Sequence, residues 1–167
     1  MVWRDLASWL RAYKTGLFYG GDGNTEELSR RLFRIPVEYG SILRVFFGNQ
    51  ATEQFIFLST QYLTILQALF TAQSNNDIDA VNDLTQQAYQ TVNRWADFFA
   101  SVNPYWTRGE WVALLSAFTA MQIEEMTTFL TGDHAKNVDV FDRLLSLTTV
   151  IGDYFSKGMI DYFTLIQ

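Results

Sequence analysis

The chain has no cysteine, a single histidine and only two prolines, and each shortage closes off a class of chemistry. Without cysteine there is no disulfide, no thiolate nucleophile and no metal site built on sulfur. One histidine, His134, cannot supply the imidazoles of a catalytic zinc or a facial triad, and it is the only ordinary base for a serine triad. Thr131 precedes it where the Glu-x-x-His signature of di-iron bundles needs a carboxylate, so that signature is missing too. The glycine-rich Gly20-Gly21-Asp22-Gly23-Asn24 lacks the lysine of a P-loop, the strand that would precede a dinucleotide turn and the full ligand set of a calcium loop. Basic residues are also scarce. Twelve Lys and Arg stand against 18 Asp and Glu, a net charge of −6, where a nucleic-acid-binding surface would show a basic stripe. No charged n-region and apolar h-region of a signal peptide follow Met1, so the expected location is the cytoplasm.

What remains is strongly apolar. Of 167 residues, 49% are hydrophobic and only 18% charged, enough for one core in a single domain spanning residues 1–167. Helical periodicity runs throughout, and no strand-like alternation occurs. A first amphipathic helix covers about Val2 to Phe18. Asn24 and Glu27 form a capping-box pair for a short second helix ending near Phe33. Pro36 suits the start of a third, which ends at Gly48-Asn49.

Gln54 to Asn76 carries no charge and is long enough to span a bilayer. Its polar residues Thr60, Gln61, Thr64, Gln67 and Thr71 share one side, while Phe55, Leu58, Tyr62, Ile65 and Leu69 recur at three and four, the pattern of a mostly buried soluble helix. Asp77 caps a fifth helix with a seam of Ile78, Val81, Ala88, Val92, Trp95, Phe99 and Val102.

The clearest local signal is Trp106-Thr107-Arg108-Gly109-Glu110-Trp111. Thr107 caps the amide of Glu110, the Glu110 carboxylate reaches back, and Trp106 and Trp111 close a hydrophobic staple. That helix ends at Thr131-Gly132-Asp133, a glycine stop. A last helix from about His134 to Leu165 turns Val138, Phe141, Leu145, Thr148, Phe155, Met159 and Tyr162 inward. The expected fold is all-α, an antiparallel up-and-down bundle with a small helical insertion.

Polar residues on apolar faces are few. Gln122 and Glu125 continue the stripe of Trp111, Leu115 and Phe118 and point inward near a helix end, where such chains usually reach water. Asp142 and Asp153 lie with Ser146, Thr149 and Ser156 on a solvent face. On the first helix, Arg4, Ser8, Arg11 and Lys14 form a narrow polar strip opposite Trp3, Leu6, Trp9, Leu10, Tyr13 and Leu17. An acidic protein disfavours docking that strip on an anionic membrane. None of these groups converges into a catalytic constellation, and no cofactor is implied.

Several segments in order resemble a family of uncharacterised helical proteins from spore-forming Gram-positive bacteria, some of which carry a kinase name their helical make-up does not support. The resemblance rests on Trp3-Arg4 with Trp9 and Arg11, Arg31-Leu32-Phe33-Arg34-Ile35-Pro36, Phe46-Phe47-Gly48, Asn103-Pro104-Tyr105-Trp106, Trp111, Leu130-Thr131-Gly132-Asp133, Phe141-Asp142, and Asp153 with Gly158-Met159-Ile160. It implies a helical bundle and no established activity. It also implies histidine in relatives at four positions occupied here by Leu6, Tyr62, Phe118 and Leu147, with acids where this chain has Gln61 and Ala117. Such a set would suit a transition metal. Its joint replacement by apolar and aromatic residues implies four interior positions and no metal.

Two readings follow, neither enzymatic. One is a bundle that binds a protein partner or a second copy of itself through aromatic surface. The other is a bundle that holds a small apolar ligand.

Overall fold

The computed structural model describes residues 2–20 and 24–164. The turn expected at Gly21-Asp22-Gly23 and the helix end expected at Leu165 lie outside the described residues. Five helices carry the fold: α1 (Val2–Tyr19), α2 (Asn24–Ser74), α3 (Ile78–Val102), α4 (Arg108–Thr131) and α5 (His134–Thr164). No strand occurs among the described residues, so the chain is an all-α bundle.

The helices expected before and after Pro36 are one. α2 passes through Pro36 without a break, because Ile35 and Pro36 are buried, and tertiary packing offsets the single hydrogen bond that proline removes. Asn24 is the first residue of α2, and Glu27 pairs with Arg30 at 2.5 Å. The real break comes at Gly48, as the sequence suggested. Its φ of 77° and ψ of −177° lie where a side chain is disfavoured, and the chain doubles back there. The Thr52 hydroxyl donates to the Gly48 carbonyl at 2.8 Å and holds the bend.

The two limbs of α2 run antiparallel. Tyr39 reaches the Val2 carbonyl and Ser29 meets Gln67, so the limb of residues 24–47 packs on both α1 and the limb of residues 49–74, while α1 also meets the second limb directly at Lys14 and Phe70. From there each helix reverses on the last. Phe55 meets Phe98 and Tyr62 meets Trp95; Arg108 returns to Asp97; Asn137 meets Thr128 and Tyr154 meets Thr107. The result has two ends. One gathers Val2, Phe46, Phe55, Phe99, Trp111 and Phe155. The other gathers Lys14, Phe70, Glu125 and Asn137.

Within this frame the second limb of α2 behaves as its pattern predicts. Phe55, Leu58, Tyr62, Ile65 and Leu69 are buried, whereas Thr64 and Thr71 are exposed. α2 is the one helix among the described residues long and apolar enough to cross a membrane, and 56% of its most apolar stretch is buried in the bundle.

At the start of α4, Thr107 caps the helix by accepting from the Glu110 amide at 3.3 Å, and Trp106 meets Trp111 edge to face at 5.8 Å. The reciprocal bond expected from Glu110 is replaced. The Thr107 amide donates instead to the Tyr154 hydroxyl at 2.8 Å, which ties the cap to α5. Gly132 ends α4 in the left-handed region, φ 68°.

Two seam assignments need correction. Val138, expected inside, is 57% exposed. The buried seam of α5 is Asn137, Val140, Leu144, Thr148, Ile151 and Gly158, rotated because Asn137 turns inward to a buried polar cluster. Ile78 is exposed as well, since it sits in the first turn of α3, before the helix reaches the core.

Candidate functional site

The end that holds the first residues of α1 is built from rings. Trp111 stacks on Phe99 at 4.1 Å, Trp3 packs on Trp95 at 5.7 Å, and Trp106 lies 4.8 Å from Phe155. Such rigid, bulky groups leave spaces between them that smaller side chains would close.

Three neighbouring spaces result. A groove of about 510 Å³ lies between the first limb of α2 and the end of α5, open to solvent, with Ile42, Phe46, Met159, Ile160 and Phe163 on its walls. Behind it, a cavity of about 110 Å³ is bounded by Trp3, Phe55, Phe99 and Gly152. Ile42, Leu43, Phe155 and Ser156 wall both. A third space of about 20 Å³ follows, bounded by Leu6, Pro36, Tyr62 and Trp95, and it shares Val2, Trp3, Tyr39 and Phe55 with the second. Among the described residues, no charged residue lines any of the three.

Large apolar side chains are exposed beside the groove. Val45 is 79% exposed, Ile160 64% and Ile42 51%.

The opposite end holds the other unusual feature, and here the sequence reading of α1 is corrected. Lys14, placed with Arg11 on a polar strip, is fully buried. Its ammonium pairs with the Glu125 carboxylate and donates to Gln122 Oε1 at 2.6 Å. Phe70 lies under it, with the ring centroid 5.0 Å from Nζ. Arg11 pairs with the other oxygen of Glu125, donates to Asn137 Oδ1 at 2.7 Å, and lies 4.3 Å from the centre of the Phe141 ring. Burial pushes the Lys14 ammonium from its usual 10.5 down to about 8, and the Glu125 charge opposes only part of that shift.

Gln122 and Glu125 point inward as expected, but Glu125 does not reach water: it is completely buried. A charge sealed from water is tolerable only when paired and hydrogen-bonded, and Lys14 and Arg11 supply both. None of the three apolar spaces adjoins Lys14 or Glu125. The cluster ties α1, α4 and α5 together and offers no room for a substrate.

The four interior candidates fall as follows. Leu6, Tyr62 and Phe118 are buried, and Leu147 is half-buried against the core. Leu6 and Tyr62 wall the same small space. The Tyr62 hydroxyl bonds Thr119 Oγ1 at 2.7 Å, and Phe118 meets Trp3 edge to face at 6.4 Å. No three His, Cys, Asp or Glu among the described residues come together as a metal set. His134 is exposed, as are Asp142 and Asp153.

Comparison with known protein families, with curated proteins and with solved structures finds no match.

Sequence reasoning missed the groove and the ion cluster. Ile42 and Phe46 recur at helix spacing on the first limb of α2, as Phe155, Met159 and Phe163 do on α5. That signal was present, but only the fold shows that the two stripes face each other.

Proposed function

We propose that this chain works by binding and not by catalysis, and that its binding site is the apolar groove between the first limb of α2 and the end of α5. One observation carries the reading: a groove of about 510 Å³, without charge among its described residues, backed by a smaller apolar cavity that shares four of its wall residues. Apolar concavities of a few hundred Å³ are the usual form of a small-molecule site. The polar groups that could do chemistry support the same reading, because Lys14 and Glu125 are bonded to one another and closed off from the groove.

Native mass spectrometry of protein purified from its own host tests this. The expected result is a retained apolar species or a bound partner that Phe46→Lys removes while the helical circular dichroism stays intact. A retained species that survives Phe46→Lys unchanged contradicts the groove as the site, and a bare chain under all conditions contradicts the binding reading.

Association with a second copy is the other reading, favoured by Val45 and Ile160. Contiguous exposed apolar patches mark protein–protein interfaces, and Ile42 and Ile160 add exposed apolar surface to the groove walls themselves. Sedimentation over a range of concentrations decides it: a dimer that Val45→Lys dissociates supports association, and a monomer throughout excludes it.

A further inference from the structure

We propose that the occupant of the groove is a molecule with a single unbranched hydrocarbon chain, whose end seats in the 110 Å³ cavity, and that Gly152 keeps that seat open. This rests on the groove being the binding site.

The argument begins with Gly152. Glycine inside a helix costs roughly 0.5–1 kcal/mol relative to alanine, so a mid-helix glycine usually has a packing reason. Gly158, six residues on, has one: a Cβ there would collide with the Trp106 indole at Nε1. Gly40 has one too, because a Cβ would meet Ile56 at 2.7 Å. Gly152 has none. A Cβ there would find nothing within 4 Å, and the residue lies on the wall of the inner cavity. No close helix approach and no positive φ requires glycine at that point. A side chain there would meet open space beside the cavity wall, and its absence is what leaves the seat free on this proposal.

Size and chemistry then define the occupant. At about 110 Å³ the cavity is somewhat smaller than the roughly 150 Å³ apolar cavities that stay dry and accept benzene or xenon. A few methylenes fit, and a ring system with substituents does not. Trp3, Phe55, Phe99 and Phe155 wall it, and among the described residues neither it nor the groove presents a charge. The buried part of the ligand is therefore neutral, and any polar head remains in the open groove near Ser156 and Thr164. A narrow apolar seat directly behind a wider apolar groove, with four wall residues in common, matches a chain lying lengthwise, with its end inward.

Octanol is a suitable probe, titrated calorimetrically into the full chain. Saturable uptake of one octanol per chain is expected, with affinity lowered at least tenfold by Gly152→Leu, whose side chain occupies the seat. The variant should melt no lower than the parent. If Gly152→Leu proves unfolded, Ser156→Leu serves instead, because Ser156 is exposed and walls both groove and cavity. Equal octanol affinity in the parent and a folded Gly152→Leu overturns the seat but leaves the groove reading standing. No octanol uptake by the parent overturns the hydrocarbon-chain proposal. The groove reading then falls or survives on the mass-spectrometric result, including the case in which the groove is covered by a second copy.

Discussion

The two ends of this bundle meet the same difficulty, filling the space between helices, in opposite ways. At one end Arg11, Lys14, Gln122, Glu125 and Asn137 interlock through directional bonds. At the other, bulky rings pack together and leave neighbouring spaces between them. Three indole N–H groups, of Trp95, Trp106 and Trp111, have no hydrogen-bond partner there, although buried tryptophans usually find one. The lesson is a division of labour. Buried charges fix one arrangement of α1, α4 and α5, because any other would strand a charge in the interior, whereas apolar packing tolerates gaps at modest cost and so leaves room for a ligand.

That contrast predicts a gradient of mutational effects. The largest belongs to the ion cluster. Glu125→Gln leaves Lys14 and Arg11 without a carboxylate, and a loss of about 3–5 kcal/mol is expected from urea unfolding, the range for breaking a buried pair. Lys14→Met combined with Glu125→Leu should cost less than the sum of the single changes. Additive losses would show that the two groups do not act together.

The same cluster carries a pH signature. Its ammonium is penalised in the fold, so between about pH 8 and 10.5 the unfolded chain binds more protons at Lys14 than the folded chain does. Stability contributed at this position therefore rises with pH through that window. The difference in unfolding free energy between the parent and Lys14→Met should move in the parent's favour from pH 8 to pH 10.5. A flat difference contradicts the burial.

Smaller effects sharpen the other end. Gly158→Ala drives a Cβ into Trp106 and should cost about 1–3 kcal/mol, the usual price of overpacking. Thr107→Ala removes the α4 cap and should cost about 1 kcal/mol. Gly152→Ala should instead raise stability by about 0.4–1 kcal/mol, since nothing obstructs the added methyl group. Thermal melts of the two glycine variants, side by side, separate a glycine that the packing requires from one that it does not.

Much of the architecture was legible because it is written locally. Thr107 and Trp111 lie within a few residues of what they cap and pack on, and Gly48 and Gly132 mark their turns by backbone freedom. The ion cluster was not legible for a physical reason. Arg11 and Lys14 repeat at the spacing of a solvent-facing strip, and their neutralising carboxylate lies 111 residues beyond Lys14. The phase of α5 failed for the same cause, because a polar Asn137 is buried where local pattern prefers Val138. Pro36 misled in the other direction, since packing carried the helix through a residue that normally opens or breaks one. The groove required knowing that residues near 42–46 face residues near 155–163.

The central claim, that the ring-lined end receives a hydrocarbon chain while the ionic end stays sealed, is most directly tested by following the five tryptophan indole signals by NMR during an octanol titration. Trp3 walls the inner cavity, whereas Trp9 lies under the Arg31 guanidinium, 5.0 Å from it. A saturable shift of the Trp3 indole with Trp9 unmoved is the predicted result. A titration that leaves Trp3 in place, or moves Trp9 alone, would contradict the account.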